Sequence, residues 1–160
     1  MADSEAPAPG GAATAEMPKP DGRIIINTHY IKDLSFENPN APAIFAQREG
    51  HNIRVGIEVH ARNLQDRLYE VTLAIKCSAT MQNATAFILE LEFAGLVTVG
   101  ELVPETELEE LLQIEVPRYL FPFARNVIAD VTRDGGYPPL LINPVDFAAL
   151  RAQQAKQGAA

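Results

Sequence analysis

The chain has no tryptophan and a single cysteine, Cys77, among its 160 residues. One thiol excludes an internal disulfide and any cysteine-built zinc centre, and it suits a reducing compartment. Basic residues are scarce as well: 13 Lys and Arg stand against 21 Asp and Glu, for a net charge of −8. That balance repels phosphate backbones and anionic lipid, so nucleic acid and membrane surfaces are not expected partners. No run approaches the roughly 18 apolar residues of a membrane span, and the N-terminus lacks the basic start and apolar core of a secretory signal. A soluble cytoplasmic chain without direct membrane insertion is the expectation.

Catalytic signatures are missing too. Gly95 and Gly100 have the glycine spacing of a phosphate loop, but Glu101 stands where its lysine must be. There is no Gly-x-Ser-x-Gly elbow, no His-Glu-x-x-His and no Asp-rich calcium loop. His29, His51 and His60 are the only histidines, and none forms an i, i+4 pair, so no metal and no cofactor is expected. Cys77, on the apolar side of a strand, reads as a small buried hydrophobe rather than a nucleophile. An enzyme on this pattern would need a closed pocket with converging polar groups.

What is present divides the chain in three. Residues 1–22 hold six Ala, four Pro and three Gly, too few large apolar groups to offset ordering, and read as a disordered tail. Residues 23–151 form one domain, and 152–160, rich in Gln and Ala, read as a frayed end.

Within the domain the period is first 2. Ile24, Ile26, Thr28, Tyr30, Lys32, Leu34 and Phe36 alternate with Asn27, His29, Asp33, Ser35 and Glu37. Pro39 and Pro42 end that strand. Ile53, Val55, Ile57 and Val59 mark a second strand. Leu68 to Thr80 and Thr85 to Val99 mark a third and a fourth, with a hairpin turn at Met81-Gln82-Asn83-Ala84. In the fourth, Phe87, Leu89, Leu91 and Phe93 share one face, and Ile88, Glu90 and Glu92 the other.

After Gly100 the period becomes 3.6. A short acidic helix opens at Pro104, with Leu108, Leu111 and Leu112 as its stripe. A second carries Leu120, Phe121, Ala124, Val127, Ile128 and Val131 and ends at Gly135-Gly136, with Pro122 inside the pattern. A last helix is expected to start with Asn143 as N-cap and Pro144 at its first position. Four antiparallel strands followed by helices give an α+β domain with helices packed on one sheet face.

The segment Tyr30-Ile31-Lys32-Asp33-Leu34-Ser35-Phe36-Glu37-Asn38-Pro39-Asn40-Ala41-Pro42 resembles the first strand and following loop of the SecB protein-export chaperone family. Further blocks agree in order: Tyr69-Glu70-Val71, Thr85-Ala86-Phe87 leading into Glu90, Leu120 to Arg125, and Pro144-Val145-Asp146-Phe147. The likeness runs from about residue 24 to 151. It departs in the long N-terminal tail, in Val116 where many members have Cys, and in a C-terminus without the acidic run that some members carry.

The resemblance implies an ATP-independent cytoplasmic holdase, not an enzyme. It would bind unfolded preproteins in apolar surface grooves, pass them to the SecA motor ATPase, and assemble as a homotetramer, a dimer of dimers. Asp33, Glu37 and Glu90 match positions that bind the basic, zinc-containing C-terminal tail of SecA, with Ile88 as an apolar neighbour. Leu89, Leu91 and Phe93 match positions associated with tetramer assembly. Client binding would fall to Ile53, Val55 and Ile57, with Leu140, Ile142 and Phe147 near the last helix. An alternative keeps the fold but dedicates it to a single partner, such as an antitoxin.

Overall fold

The structure, a computed structural model, describes residues 22–159, so the expected tail lies outside the described residues except for Gly22. Four strands, β1 (Ile24–Glu37), β2 (Asn52–Gln65), β3 (Leu68–Met81) and β4 (Ala84–Val99), form one antiparallel sheet in the order β1-β4-β3-β2. β1 and β2 are therefore its edges. The β3–β4 hairpin turns on Gln82 and Asn83, both at positive φ (45° and 65°), the backbone twist that two-residue hairpins need.

Register assigns the faces, because directly paired residues point the same way. Phe87, Leu89, Leu91 and Phe93 of β4 share the helix-covered face with Ile75, Cys77 and Ala79 of β3 and with Val55 and Ile57 of β2. In β1 the simple alternation fails. Register shifts between Ile26 and Thr28 and between Ile31 and Asp33 each insert a residue, and each flips the parity. His29 and Ile31 thus join the helix-covered face opposite Gly95 and Phe93, while Thr28 and Tyr30 move to the outer face opposite Leu96 and Ala94. The second shift restores the expected phase, leaving Asp33, Ser35 and Glu37 outside.

The two helices expected after Gly100 are one continuous run, α1. It passes from a 3-10 turn (Glu105–Glu107) through Leu108–Glu110 and a π segment (Leu111–Glu115) into Val116–Asp134. The π segment lies just before Pro117, which has no N–H to continue the ladder, and a locally widened turn carries the chain through. Pro122 sits inside the helix without ending it. α1 presses Leu120 onto Gly95 of β4, where a Cβ would come within 2.8 Å of the Leu120 side chain. Leu111, Val116, Leu120, Phe121, Ala124 and Ile128 are buried beneath it against the sheet.

The last helix, α2 (Phe147–Gly158), starts later than expected. Asp146, not Asn143, is the N-cap: its backbone is extended and its Oδ1 accepts from Ala149 N–H at 3.0 Å. α2 runs past the boundary expected at residue 151, and Phe147 anchors it against Phe121, ring centroids 5.9 Å apart. The Asn38-to-Pro42 loop is fastened as well. Tyr137 Oη lies 2.6 Å from Asn38 Oδ1, Asn38 Nδ2 donates to the Gly135 carbonyl (2.9 Å), and Asn40 Nδ2 donates to the Thr85 carbonyl (2.8 Å). Among the described residues no helix is long and apolar enough to cross a membrane.

Candidate functional site: an open trough and an acidic sheet face

Two surfaces stand out, a trough at the β2 edge and an acidic patch across β1 and β4 on the outer face of the sheet. The first is a trough of about 630 Å³ between β2 and α2. Val55, Ile57 and Val59 supply its apolar wall, Leu150 faces them from α2, and Gln153, Gln154 and Gln157 form the far side. It is open to solvent and not a closed pocket with converging catalytic groups. No group of three or more His, Cys, Asp or Glu able to hold a metal occurs among the described residues.

Ile53 and Val55 are each 41% exposed, unusual for large aliphatics on the core side of a sheet, and Ile57 is half-buried. They remain open because β2 is an edge strand that the packed part of α1 does not cover. Leu140 and Ile142 are half-buried in the extended stretch leading to α2. Phe147 is the correction: at 1% exposure it has no surface to offer a client and serves as the foot of α2. Leu89, Leu91 and Phe93 are also buried, within the subunit beneath α1, so any part they take in assembly goes through the helix they seat.

The second surface is the outer face. Across β1 and β4 the register pairs Asp33 with Glu92, Ser35 with Glu90 and Glu37 with Ile88. The four residues named from the resemblance therefore lie within one two-strand patch, Ile88 exposed among carboxylates. Asp33 and Glu92 are like charges directly opposite, an arrangement that costs stability. On the other side of β4, Lys76 of β3 pairs with Glu90, Nζ to Oε1 at 3.4 Å.

Farther along the same face lies a polar cluster that pattern reading missed. Glu70 of β3 is only 7% exposed. It accepts from the Tyr30 hydroxyl, from Lys32 Nζ (2.7 Å) and from Arg62 Nη2 (3.2 Å). Tyr30 and Lys32 reach it from β1 across Ala94 of β4, whose methyl is small enough to be bridged. The hydrogen bond from Lys32, then that from Tyr30, holds the Glu70 carboxyl below its usual range in spite of burial. The same bond to Glu70, with burial, pushes the Tyr30 phenol up to about 12. The cluster also holds the Lys32 ammonium at Glu70, beside Asp33 but engaged elsewhere. Only the bulge, invisible to alternation, brings Tyr30 to this side.

Residues 17–158 match the family model described as preprotein translocase subunit SecB. The chain is similar to the protein-export protein SecB of Parvibaculum lavamentivorans, 46% identical over 94% of this chain and 89% of that protein. It is likewise 46% identical to the protein-export protein SecB of Rhodospirillum rubrum, over 86% of this chain and 87% of that one. Among solved structures, a SecB-like chaperone of Mycobacterium tuberculosis in complex with an antitoxin peptide superposes with a TM-score of 0.65. At 18% identity, over 78% of this chain and 92% of that one, this likeness concerns the fold.

Proposed function

The chain belongs to the SecB family of protein-export chaperones, and from that premise we propose that it holds unfolded preproteins in the trough beside β2 and delivers them to the SecA motor ATPase. The holding is passive, without ATP, cofactor or chemical step, and takes place in the cytoplasm. The observation that carries the reading is the exposure of Ile53 and Val55 on an edge strand that opens into the trough. A folded client has buried its own apolar residues and gains nothing there, whereas an unfolded one does. Fully burying one large aliphatic is worth about 1.5–3 kcal/mol, so repeated weak contacts along a long chain add up to reversible capture with little regard for sequence.

SecA docking is assigned to the outer face, through Asp33, Glu37 and Glu90 with Ile88 between them. A patch of one sign steers and orients a basic tail more than it tightens it, and Glu90→Lys should remove binding of the SecA tail. The working particle is proposed as a homotetramer, a dimer of dimers. The reading with a dedicated antitoxin partner has only a fold likeness behind it, and the protein-export relatives favour general export.

The test is light scattering from a refolding client without nucleotide. Excess protein should suppress aggregation. Ile53→Ser, Val55→Ser and Ile57→Ser together should weaken holding by about 2–3 kcal/mol, roughly thirtyfold to 150-fold. Unchanged aggregation with the native chain would sink the proposal.

A further inference from the structure

Lys32 stands between two sets of carboxylates on the outer face. The register shift between Ile31 and Asp33 leaves it as the extra residue of the bulge, without a register partner on β4. Tyr30 before it and Asp33 after it both belong to the outer face, opposite Ala94 and Glu92. Lys32 is thus the cation next to the facing carboxylates of Asp33 and Glu92, a like-charged pair that an ammonium would relieve. Its ammonium goes the other way. It lies 2.7 Å from Glu70 Oε1, where the Tyr30 hydroxyl and Arg62 Nη2 converge on the same carboxylate. Glu70 is four residues along β3 from Ala74, the register partner of Glu92, and so lies away from the acidic patch.

We propose that Glu70 is a positioning residue for docking: by holding the Lys32 ammonium at its own end of the sheet, it keeps Asp33 and Glu92 unneutralised for a basic partner. This rests on the docking surface proposed above and adds to it a residue that the partner does not touch. Glu70 is nearly buried, whereas Asp33 and Glu92 are exposed. An ion pair with the buried carboxylate is screened less by water and salt, and the Tyr30 hydroxyl and Arg62 hold that carboxylate in place to receive it. Replacing Glu70 by Gln removes the charge that decides the choice. The lysine side chain, 41% exposed and on a flexible stem, then turns to the nearest remaining anions, Asp33 and Glu92. The patch loses one unit of negative charge although none of its own residues has changed, and its field steers and orients a basic tail less. With Glu70 in place, the repulsion between Asp33 and Glu92 is left standing until the partner's own cation relieves it.

The experiment measures the affinity of a labelled, zinc-loaded peptide of the SecA C-terminal tail for the full chain, native and as Glu70→Gln, Lys32→Gln and the double variant, each well below its melting temperature. Glu70→Gln should weaken the tail about threefold, roughly what one exposed ion pair is worth. Lys32→Gln alone should stay within about twofold of native, because that ammonium is already neutralised at Glu70. The double variant should recover the native affinity even though both partners of the ion pair are gone. A Glu70 that served only the fold predicts the reverse, with the double variant binding no better than Glu70→Gln. Tail binding that Glu70→Gln leaves unchanged, or a loss that Lys32→Gln does not restore, overturns the inference and leaves the docking surface standing. Absence of tail binding to the native chain overturns the docking reading and the inference with it.

Discussion

Glu70 shows how much a single side chain organises here. With three donors converging on it, its replacement by Gln removes charge-assisted hydrogen bonds from a nearly buried position, a loss of about 2 kcal/mol. Its folded carboxyl ionises below the usual range. The stability it adds is therefore present above the unfolded value of about 4.3 and lost as pH falls through the lowered folded value. Urea midpoints of the native chain and Glu70→Gln should differ most above pH 5 and converge in acid. Tyr30 has the opposite sign: its phenol, raised to about 12, contributes fully below pH 10 and loses that contribution as pH climbs toward 12. Spectroscopic titration of the four tyrosines should show Tyr30 ionising late. Asp33 and Glu92 make a further residue-scale case. Glu92→Gln relieves like charges directly opposite and should stabilise by about 0.5 kcal/mol while weakening a basic tail, stability and tail affinity moving in opposite directions. Alternation in the sequence revealed the outer set of Asp33, Glu37, Ile88 and Glu90, because β4 runs without a shift through that stretch. It could not reveal Tyr30 beside Glu70, since a bulge is set by backbone geometry and leaves no mark on the hydrophobic pattern. Cys77 was legible as a buried hydrophobe: it is 1% exposed, and burial pushes its thiol up to about 11.

At the scale of elements, strands and apolar stripes were readable, and the joints between them were not. The acidic stretch and the Leu120 stripe look like two helices because prolines interrupt the pattern, yet the π segment fuses them. The start of α2 lies three residues beyond the expected Asn143 cap for a related reason. Asn143-Pro144 and Asp146 offer competing caps, and packing of Phe147 against Phe121 decides in favour of the second. α2 is otherwise lightly held, by the Phe147 anchor, an ion pair between Arg151 and Glu109, and the Asp146 cap. Asp146→Ala should cost about 1 kcal/mol and act locally. Hydrogen exchange over residues 147–158 should accelerate while the strands stay protected. If the strands lose protection together with α2, the helix is part of the cooperative core instead of a movable wall of the trough.

The whole molecule carries one more apolar surface, along α1 and the β1 edge. Tyr119, Phe123 and Ile31 are 56%, 49% and 47% exposed, and the His29 ring stacks on Phe123 at 4.3 Å. Tyr119 and Phe123 are four residues apart, hence on one stripe of α1, beside the β1 edge. The proposed tetramer gives that stripe something to cover it. Covering the remaining exposed half of such an aromatic, roughly 100 Å², is worth about 2.5 kcal/mol at each contact. Phe123→Asp should therefore shift the particle to smaller species in sedimentation while leaving the melting transition of the subunit nearly unchanged, since the ring is already half in water. Leu91→Arg must behave differently: Leu91 is 1% exposed inside the subunit, so a charge there destabilises the fold before it touches assembly. Assembly also multiplies a net charge of −8 per chain, a repulsion that salt screens, so raising ionic strength should favour the larger particle of the native protein. A native chain that sediments as a monomer at every salt concentration would leave the α1 stripe without a partner and remove the assembly from the proposal, while the trough and the outer face, which belong to a single subunit, would keep their own tests.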